Sequence, residues 1–234
     1  DVFEKENEKG KFYFIKTKPK EIFTRDLLTK IIVNSIASIN WKKSMKWSNS
    51  NLIWGRPLRS ILAIFNKKVL PFSYGHLKSK NTIIIEKDLD IKLKKIESFN
   101  EYQKFLKKNK IFLDHDERKK KILNKFEAIC KNKNYQNFFD EKLIEEVVNI
   151  IEDPNILLVD FDKKYLDMPS EIIISTLQSH QRYFPLFDNN NRLTNFFLVV
   201  ANKFDKKNLI KDGNKKVVDA RLSDANFFWD KDKS

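Results

Sequence analysis

The stretch from Pro169 to Val200, PSEIIISTLQSHQRYFPLFDNNNRLTNFFLVV, restricts the possible folds of this chain more than any other. Proline in a first helical turn loses no hydrogen bond, and Glu171 suits the positive start of a helix. Ile173, Leu177 and His180 then fall at i, i+4 and i+7, which predicts a short amphipathic helix with all three on one face. Tyr183 to Phe187 reads as an aromatic strand in which Pro185 marks an edge or a strand end. Asp188 to Asn191 is turn chemistry, because these side chains bond their own main chain and tolerate left-handed backbone. Phe196 to Ala201 is apolar on both alternations and predicts a strand buried on both faces. Helix, strand, turn and strand thus form one unit.

The middle of that unit is polar. Ser179-His180-Gln181-Arg182 stands between helix and strand, and two readings fit it. In one, His180 and Arg182 occupy a helix C-terminus, where cations favour the negative dipole end and donate to free carbonyls. In the other, His180, Arg182 and Tyr183 form a binding edge offered to RNA or to a partner protein.

The chain has 234 residues, enough for a sizeable core and one or two domains. It opens on Asp1 and stops at Ser234 within what reads as a continuing helix, so a piece of a longer protein is expected. No apolar run spans a bilayer and no charged-then-apolar leader is present. A single cysteine, Cys130, excludes an internal disulfide framework and a cysteine-based zinc site, and a cytoplasmic location is expected. The net charge of +14 points to an acidic partner such as nucleic acid. The excess is nearly all lysine, in a chain also rich in isoleucine and asparagine, which is what an AT-rich genome imposes on any protein. A solvated lysine face therefore competes with an RNA surface.

In chain order, Asp1 to Lys11 is charged with little to bury and predicts a frayed end. Phe12 to Ile15 reads as a strand, and Thr24 to Ile39 as an amphipathic helix carrying Leu27, Leu28, Ile31, Ile32, Ile36 and Ile39. Ser48 to Asn51 is a turn. Leu58 to Phe65 reads as a short helix begun by Pro57. Arg56 and Arg59 lie close to Trp54, so guanidinium and indole could stack on bases or on each other. Ile83 to Ile85 predicts one strand, and Ile91 with Leu93 another. Ser98 and Glu101 form a capping box for a helix to Leu106. Ile111 to Leu113 is a brief strand. Asp116 to Cys130 and Asp140 to Ile151 are helices with inward apolar rows, and Ile156 to Val159 is a strand. The fold class is α+β, with mixed or antiparallel sheets and packed helices. Three parts are expected: an N-terminal lobe over 1–80, a helix-rich lobe over 81–153, and the helix–hairpin unit with a terminal helix over 154–234.

Chemistry of its own is hard to find in the chain. His115-Asp116 suggests a metal hydrolase, but such sites need a further histidine and a later aspartate converging on one ion, and a helix N-cap explains the acid. No Gly-x-Ser-x-Gly elbow, calcium loop or glycine-rich phosphate loop occurs. Neither catalytic residues nor cofactor or metal ligands are assigned.

Three stretches carry a resemblance. They are Lys43-Ser44-Met45-Lys46-Trp47 with Arg56-Pro57-Leu58-Arg59, then Ser179 to Pro185, then Gly213-Asn214 with Ala220-Arg221-Leu222-Ser223-Asp224-Ala225-Asn226-Phe227-Phe228. Their order and spacing resemble the beta subunit of bacterial heterotetrameric glycyl-tRNA synthetase, over its N-terminal half. The chain departs from many members, which carry a Gly-His-Arg-Phe stretch near Asn81 to Ile85. The resemblance implies an alpha2beta2 ligase that joins glycine to its tRNA using ATP and Mg, with the active site on the alpha subunit. It implies tRNA(Gly), the alpha subunit and a second beta subunit as partners; from the residues themselves, no membrane association and no glycine activation by this part alone are expected. Candidate contacts are Arg56, Arg59, His180, Arg182 and Tyr183; an architectural scaffold that touches no RNA is the alternative.

A last helix is expected from about Asn214 to Trp229, with Val218, Leu222, Ala225 and Trp229 as its packed stripe. Arg221 and Asp224 stand at i and i+3 in the adjoining row, and a structural pair between them is expected to fix the docking of this helix.

Overall fold

The structure is a computed structural model that describes residues 2–18, 21–46, 52–87, 90–136 and 138–233. Trp47 and the turn expected over Ser48 to Asn51 lie outside the described residues. The fold is α+β, divided into two compact units, Asp1–Tyr102 and Gln103–Ser234. This division differs from the three lobes expected from sequence. Helices within residues 115–150 share a core with the sheet that residues 155–201 build.

The first unit contains β1 (Val2–Asn7), β2 (Gly10–Ile15), α1 (Thr24–Ala37), β3 (Met45–Lys46), β4 (Ile53–Trp54), β5 (Ile61–Leu62), β6 (Ile64–Phe65), β7 (Lys68–Val69), β8 (Ser73–Tyr74), β9 (Leu77–Lys80), β10 (Thr82–Lys87) and β11 (Asp90–Lys95). α2 (Phe99–Lys108) begins in this unit and ends in the second. The pairs β1–β2, β3–β4, β6–β7 and β10–β11 are antiparallel, and β5 runs parallel to β9 in a sheet of order β5–β9–β8. The charged N-terminus is therefore a strand and not a frayed end. Its backbone pairs with β2 from Val2↔Ile15 to Asn7↔Gly10, and Phe3 stacks on Phe14 at 5.7 Å. Cross-strand pairing satisfies the inward-facing half of the main chain there although every side chain stays exposed.

Leu58 to Phe65 is likewise not a helix. Asn66 and Lys67 adopt φ of 49° and 61° and turn the chain back, so β6 pairs with β7 while β5 joins β9. Two left-handed residues between short apolar runs are a hairpin signal, and it outweighs the helix start that Pro57 suggests. α1 forms where expected but buries no residue, and Leu27 and Ile31 stay exposed. Half of the expected capping box is present, with the Glu101 N–H donating to Ser98 Oγ, while the Glu101 carboxylate accepts from the Glu97 N–H one residue before the cap.

The second unit contains α3 (His115–Lys133), α4 (Glu141–Ile150), β12 (Asn155–Asp160), a 3-10 turn (Lys163–Asp167), α5 (Ser170–Ser175) running into a π turn (Thr176–His180), β13 (Phe184–Phe187), β14 (Leu193–Ala201) and α6 (Leu209–Asp232). Its sheet has the order β12–β14–β13 and is antiparallel throughout. Central β14 is buried on both faces, as its apolar run predicts. Phe197 and Val199 join Val159, Ile173, Leu177, Val218 and Leu222 on one side. Leu198 joins Phe184, Leu186, Ile122, Phe126 and Val148 on the other. Burying each such side chain is worth roughly 1.5–3 kcal/mol, so β14 anchors both layers. Pro185 sits in the edge strand β13, where its missing N–H leaves no central ladder bond unmade.

Two expectations fail here for local reasons. Ile111 to Leu113 is not a strand, because the Arg118 guanidinium binds the Phe112 and Leu113 carbonyls at 2.7 and 3.0 Å in place of a ladder. α6 starts five residues earlier than expected and carries Gly213 inside it, where nothing crowds the Cα.

Candidate nucleic-acid interface

Arg56 and Arg59 lie just after the end of β4 in the first unit. The Trp54 ring is half-buried, packed on Trp41 at 4.7 Å and edge-on to Tyr74 at 5.9 Å. Gly55 makes this packing possible, since a Cβ there would stand 2.9 Å from the Trp41 ring. Among the described residues no cation lies over Trp54. Arg59 turns instead to Glu86 of β10, pairing with its carboxylate while remaining largely exposed, and Arg56 is exposed.

At the end of the α5 helix the chain closes in the left-handed region on Arg182, at φ 56°. The Arg182 N–H donates to the Gln178 carbonyl at 3.1 Å, and the Tyr183 N–H to the Leu177 carbonyl at 3.0 Å. This is a helix C-terminus closed by a left-handed residue, with arginine where glycine is usual. Arg182 Nε donates to Glu146 Oε2 of α4 at 3.0 Å, and both side chains are about half exposed. His180 does not share the face of Ile173 and Leu177. The π turn inserts a residue, which rotates the end of the helix by about 100° and leaves His180 in solvent.

Tyr183 points the other way. It is 6% exposed, stacks on Phe197 at 5.0 Å, and donates its hydroxyl to Asn214 Oδ1 of α6. Burial pushes its phenol above the usual range. The structure therefore leaves His180 exposed and Arg182 about half exposed, and sets Tyr183 in the core.

Arg221 and Asp224, expected as a structural pair, are both exposed and form no ion pair with each other among the described residues. Their row on α6 faces solvent, where an ion pair gains about 0–1 kcal/mol, too little to hold two hydrated side chains together. Other bonds dock this helix. Asn214 receives Tyr183, Lys215 pairs with Asp160 of β12, and the Asp219 carbonyl accepts from the Tyr165 hydroxyl at 3.3 Å. The Lys215 ammonium, hydrogen-bonded to Asp160, holds that carboxyl below its ordinary value, and Asp160 in turn raises Lys215. Sequence reasoning missed these three contacts. Asn214 and Lys215 sit beside Gly213, a residue type that normally interrupts a helix and here lies within one.

His115, the other suspected site, donates from Nε2 to Glu145 Oε2 at 3.0 Å, with Nδ1 3.3 Å from Asp116 Oδ1. Lys119 bonds Glu141 and Glu145 beside it and is raised well above its ordinary value by those hydrogen bonds, while Glu145 is lowered. These contacts tie α3 to α4 through surface charge.

Residues 1–234 match, over their whole length, the family model described as Glycyl-tRNA synthetase beta subunit. The chain belongs to the glycyl-tRNA synthetase beta subunit family. Among curated relatives, the glycine–tRNA ligase beta subunit of Rickettsia akari (strain Hartford) is 36% identical over 222 residues, which is 94% of this chain and 34% of that protein. That of Rickettsia bellii (strain OSU 85-389) is 37% identical over 222 residues, with 94% and 34% covered. The chain spans about a third of the length of the curated relatives it matches.

In this member of the beta-subunit family the charge is unevenly divided. Residues 1–102 carry 21 Lys and Arg against 11 Asp and Glu, a net charge of +10. Residues 103–234 carry 25 against 21, a net of +4. α6 has five Lys and Arg and five Asp, so the helix is neutral overall. No helix among the described residues is long and apolar enough to cross a membrane.

Proposed function

We propose that this chain is part of the beta subunit of a cytoplasmic glycine–tRNA ligase and contributes tRNA contact and assembly with the alpha subunit. ATP, Mg and glycine are handled by the alpha subunit, in an alpha2beta2 assembly with tRNA(Gly). The family match over residues 1–234 carries this reading. The net charge of +10 on the first unit supports a role there in holding the tRNA backbone. An architectural role fits the second unit better, because its cationic candidate Arg182 is held by Glu146 and α6 is charge-balanced.

The test is fluorescence anisotropy of the full-length subunit with tRNA(Gly) and an unrelated tRNA over a salt series. Affinity that falls steeply with salt and differs little between the two tRNAs is expected. No binding even at low salt overturns the tRNA role. Glycine-dependent ATP–pyrophosphate exchange by the chain alone is expected to equal the blank, and exchange above it would move glycine activation onto this chain.

A further inference from the structure

An open cavity of about 600 Å³ lies within the first unit. Leu62, Ile64, Ile83 and Ile96 give it an apolar floor, and Ile96 is only 1% exposed. On one side of the rim stand Asn66 and Lys67, whose left-handed backbones form the turn between β6 and β7. The start of α2 also lines the cavity. There Phe99 lines the cavity while 64% of its surface is open to solvent, and the Tyr102 ring lies 6.2 Å from it.

A phenylalanine beside an apolar cavity would normally cover it, so an open ring at the rim is a surface on which a flat group can lie. The volume exceeds that of any single side chain and falls in the range of small-ligand sites. The wall also carries polar groups of several kinds: the Asn66 amide, the Glu97 carboxylate, the Ser98 hydroxyl and the Lys67 ammonium. An apolar floor, an exposed aromatic, mixed donors and acceptors, and a cation at the rim suit an unstacked nucleobase with its phosphate. The unit's net charge of +10 matches a polyanion and disfavours a cationic partner.

We propose that this cavity takes one unstacked nucleobase of the bound tRNA, a reading that rests on the tRNA role proposed above. The base stacks on Phe99 above the floor of isoleucines, its edge meets Asn66 and Glu97, and Lys67 receives the adjoining phosphate.

The test compares the full-length subunit with its Phe99→Ala, Phe99→Trp and Ser60→Trp variants, using a tRNA(Gly) transcript in anisotropy titrations over a salt series. Phe99 and Ser60 are exposed, so these variants are expected to fold. Phe99→Ala and the blocking Ser60→Trp are expected to weaken binding roughly tenfold to a hundredfold. Their salt slope should be unchanged, because stacking releases no counterions, and Phe99→Trp should bind as well as the parent. Lys67→Ala is expected to lower the slope by about one phosphate contact. A parent that binds tRNA with Phe99→Ala equally tight overturns the pocket and leaves the tRNA role standing. A parent that binds no tRNA overturns the tRNA role and the pocket with it. Variants that bind tRNA normally but lose the alpha subunit in pull-down would show a protein-docking site, which also overturns the proposal.

Discussion

At the residue scale, single side chains with several partners do more to fix this fold than the charged pairs that its sequence advertises. Arg118 is the clearest case. Its Nε donates to the Val148 carbonyl at 3.1 Å and its Nη1 to the Phe112 and Leu113 carbonyls, so one guanidinium closes the end of α4 and an irregular segment together. Hydrogen bonds to charged groups contribute about 1.5–3 kcal/mol, and carbonyls left unpaired would add to the loss. Arg118→Met is expected to lower stability by about 2 kcal/mol, read as a lower urea midpoint with an unchanged slope. Arg118→Lys should recover less than half of it, since an ammonium cannot span the three carbonyls. Asp160 gives a pH-dependent case. Its carboxyl is held low by the Lys215 ammonium, so the stability it contributes is present above the ordinary value of 3.8 and is lost as pH falls through the lowered native value. With both side chains more than a third exposed, that contribution is about 0.5–1 kcal/mol. Denaturant titrations of Asp160→Asn should show the deficit at neutral pH and its disappearance in strong acid; a deficit that persists in acid would mean that charge is not its source.

At the element scale, the end of the α5 helix shows how one inserted residue redirects a surface. The π turn moves His180 off the buried stripe, and the left-handed Arg182 then sends Tyr183 inward onto Phe197 and Asn214. Left-handed backbone costs a non-glycine residue about 1–2 kcal/mol, and the exposed pair with Glu146 returns about 0–1 kcal/mol. Arg182→Gly is therefore expected to change stability by less than about 0.5 kcal/mol, while Arg182→Val, which is branched at Cβ, lowers it by more than about 1 kcal/mol. Thermal melts of the two variants decide this. Equal losses would mean that the Glu146 contact and not the backbone dominates the position.

At the scale of the whole molecule, charge separates the two units. The first carries +10 over 102 residues and little core, with Leu52, Leu70, Ile85 and Ile96 among its few buried side chains. The second carries +4 and a sheet covered on both faces. On the proposed tRNA role, phosphate contacts are expected mainly in the first unit. In the full-length subunit, Lys42, Lys43 and Lys46 changed together to Ala should lower the salt slope of tRNA binding by up to about 2. The same change at Lys131, Lys133 and Lys206 should leave it as it was. Equal effects from the two sets would mean that the lysine excess acts diffusely and that neither unit is the tRNA face.

The sequence by itself determined the elements whose periodicity is long and whose partners are near. β14 announced its double burial through six consecutive apolar residues, α3 and α4 their inward rows, and Ser98 its helix start. The family was legible too, because its motifs are strings of residues. Short strands were not: β5 and β6 have two residues each, and only the left-handed Asn66-Lys67 turn and the partner β9 separate them from a helix. Side-chain destinations were decided by tertiary structure alone. Of the five candidate contacts, Tyr183 lies in the core, Arg59 and Arg182 hold carboxylates on other elements, and only Arg56 and His180 stand in solvent without such a partner among the described residues. Arg221 and Asp224 remained apart for the same reason. Spacing along a helix sets which residues are neighbours, but burial and the groups on facing elements set which of them bond.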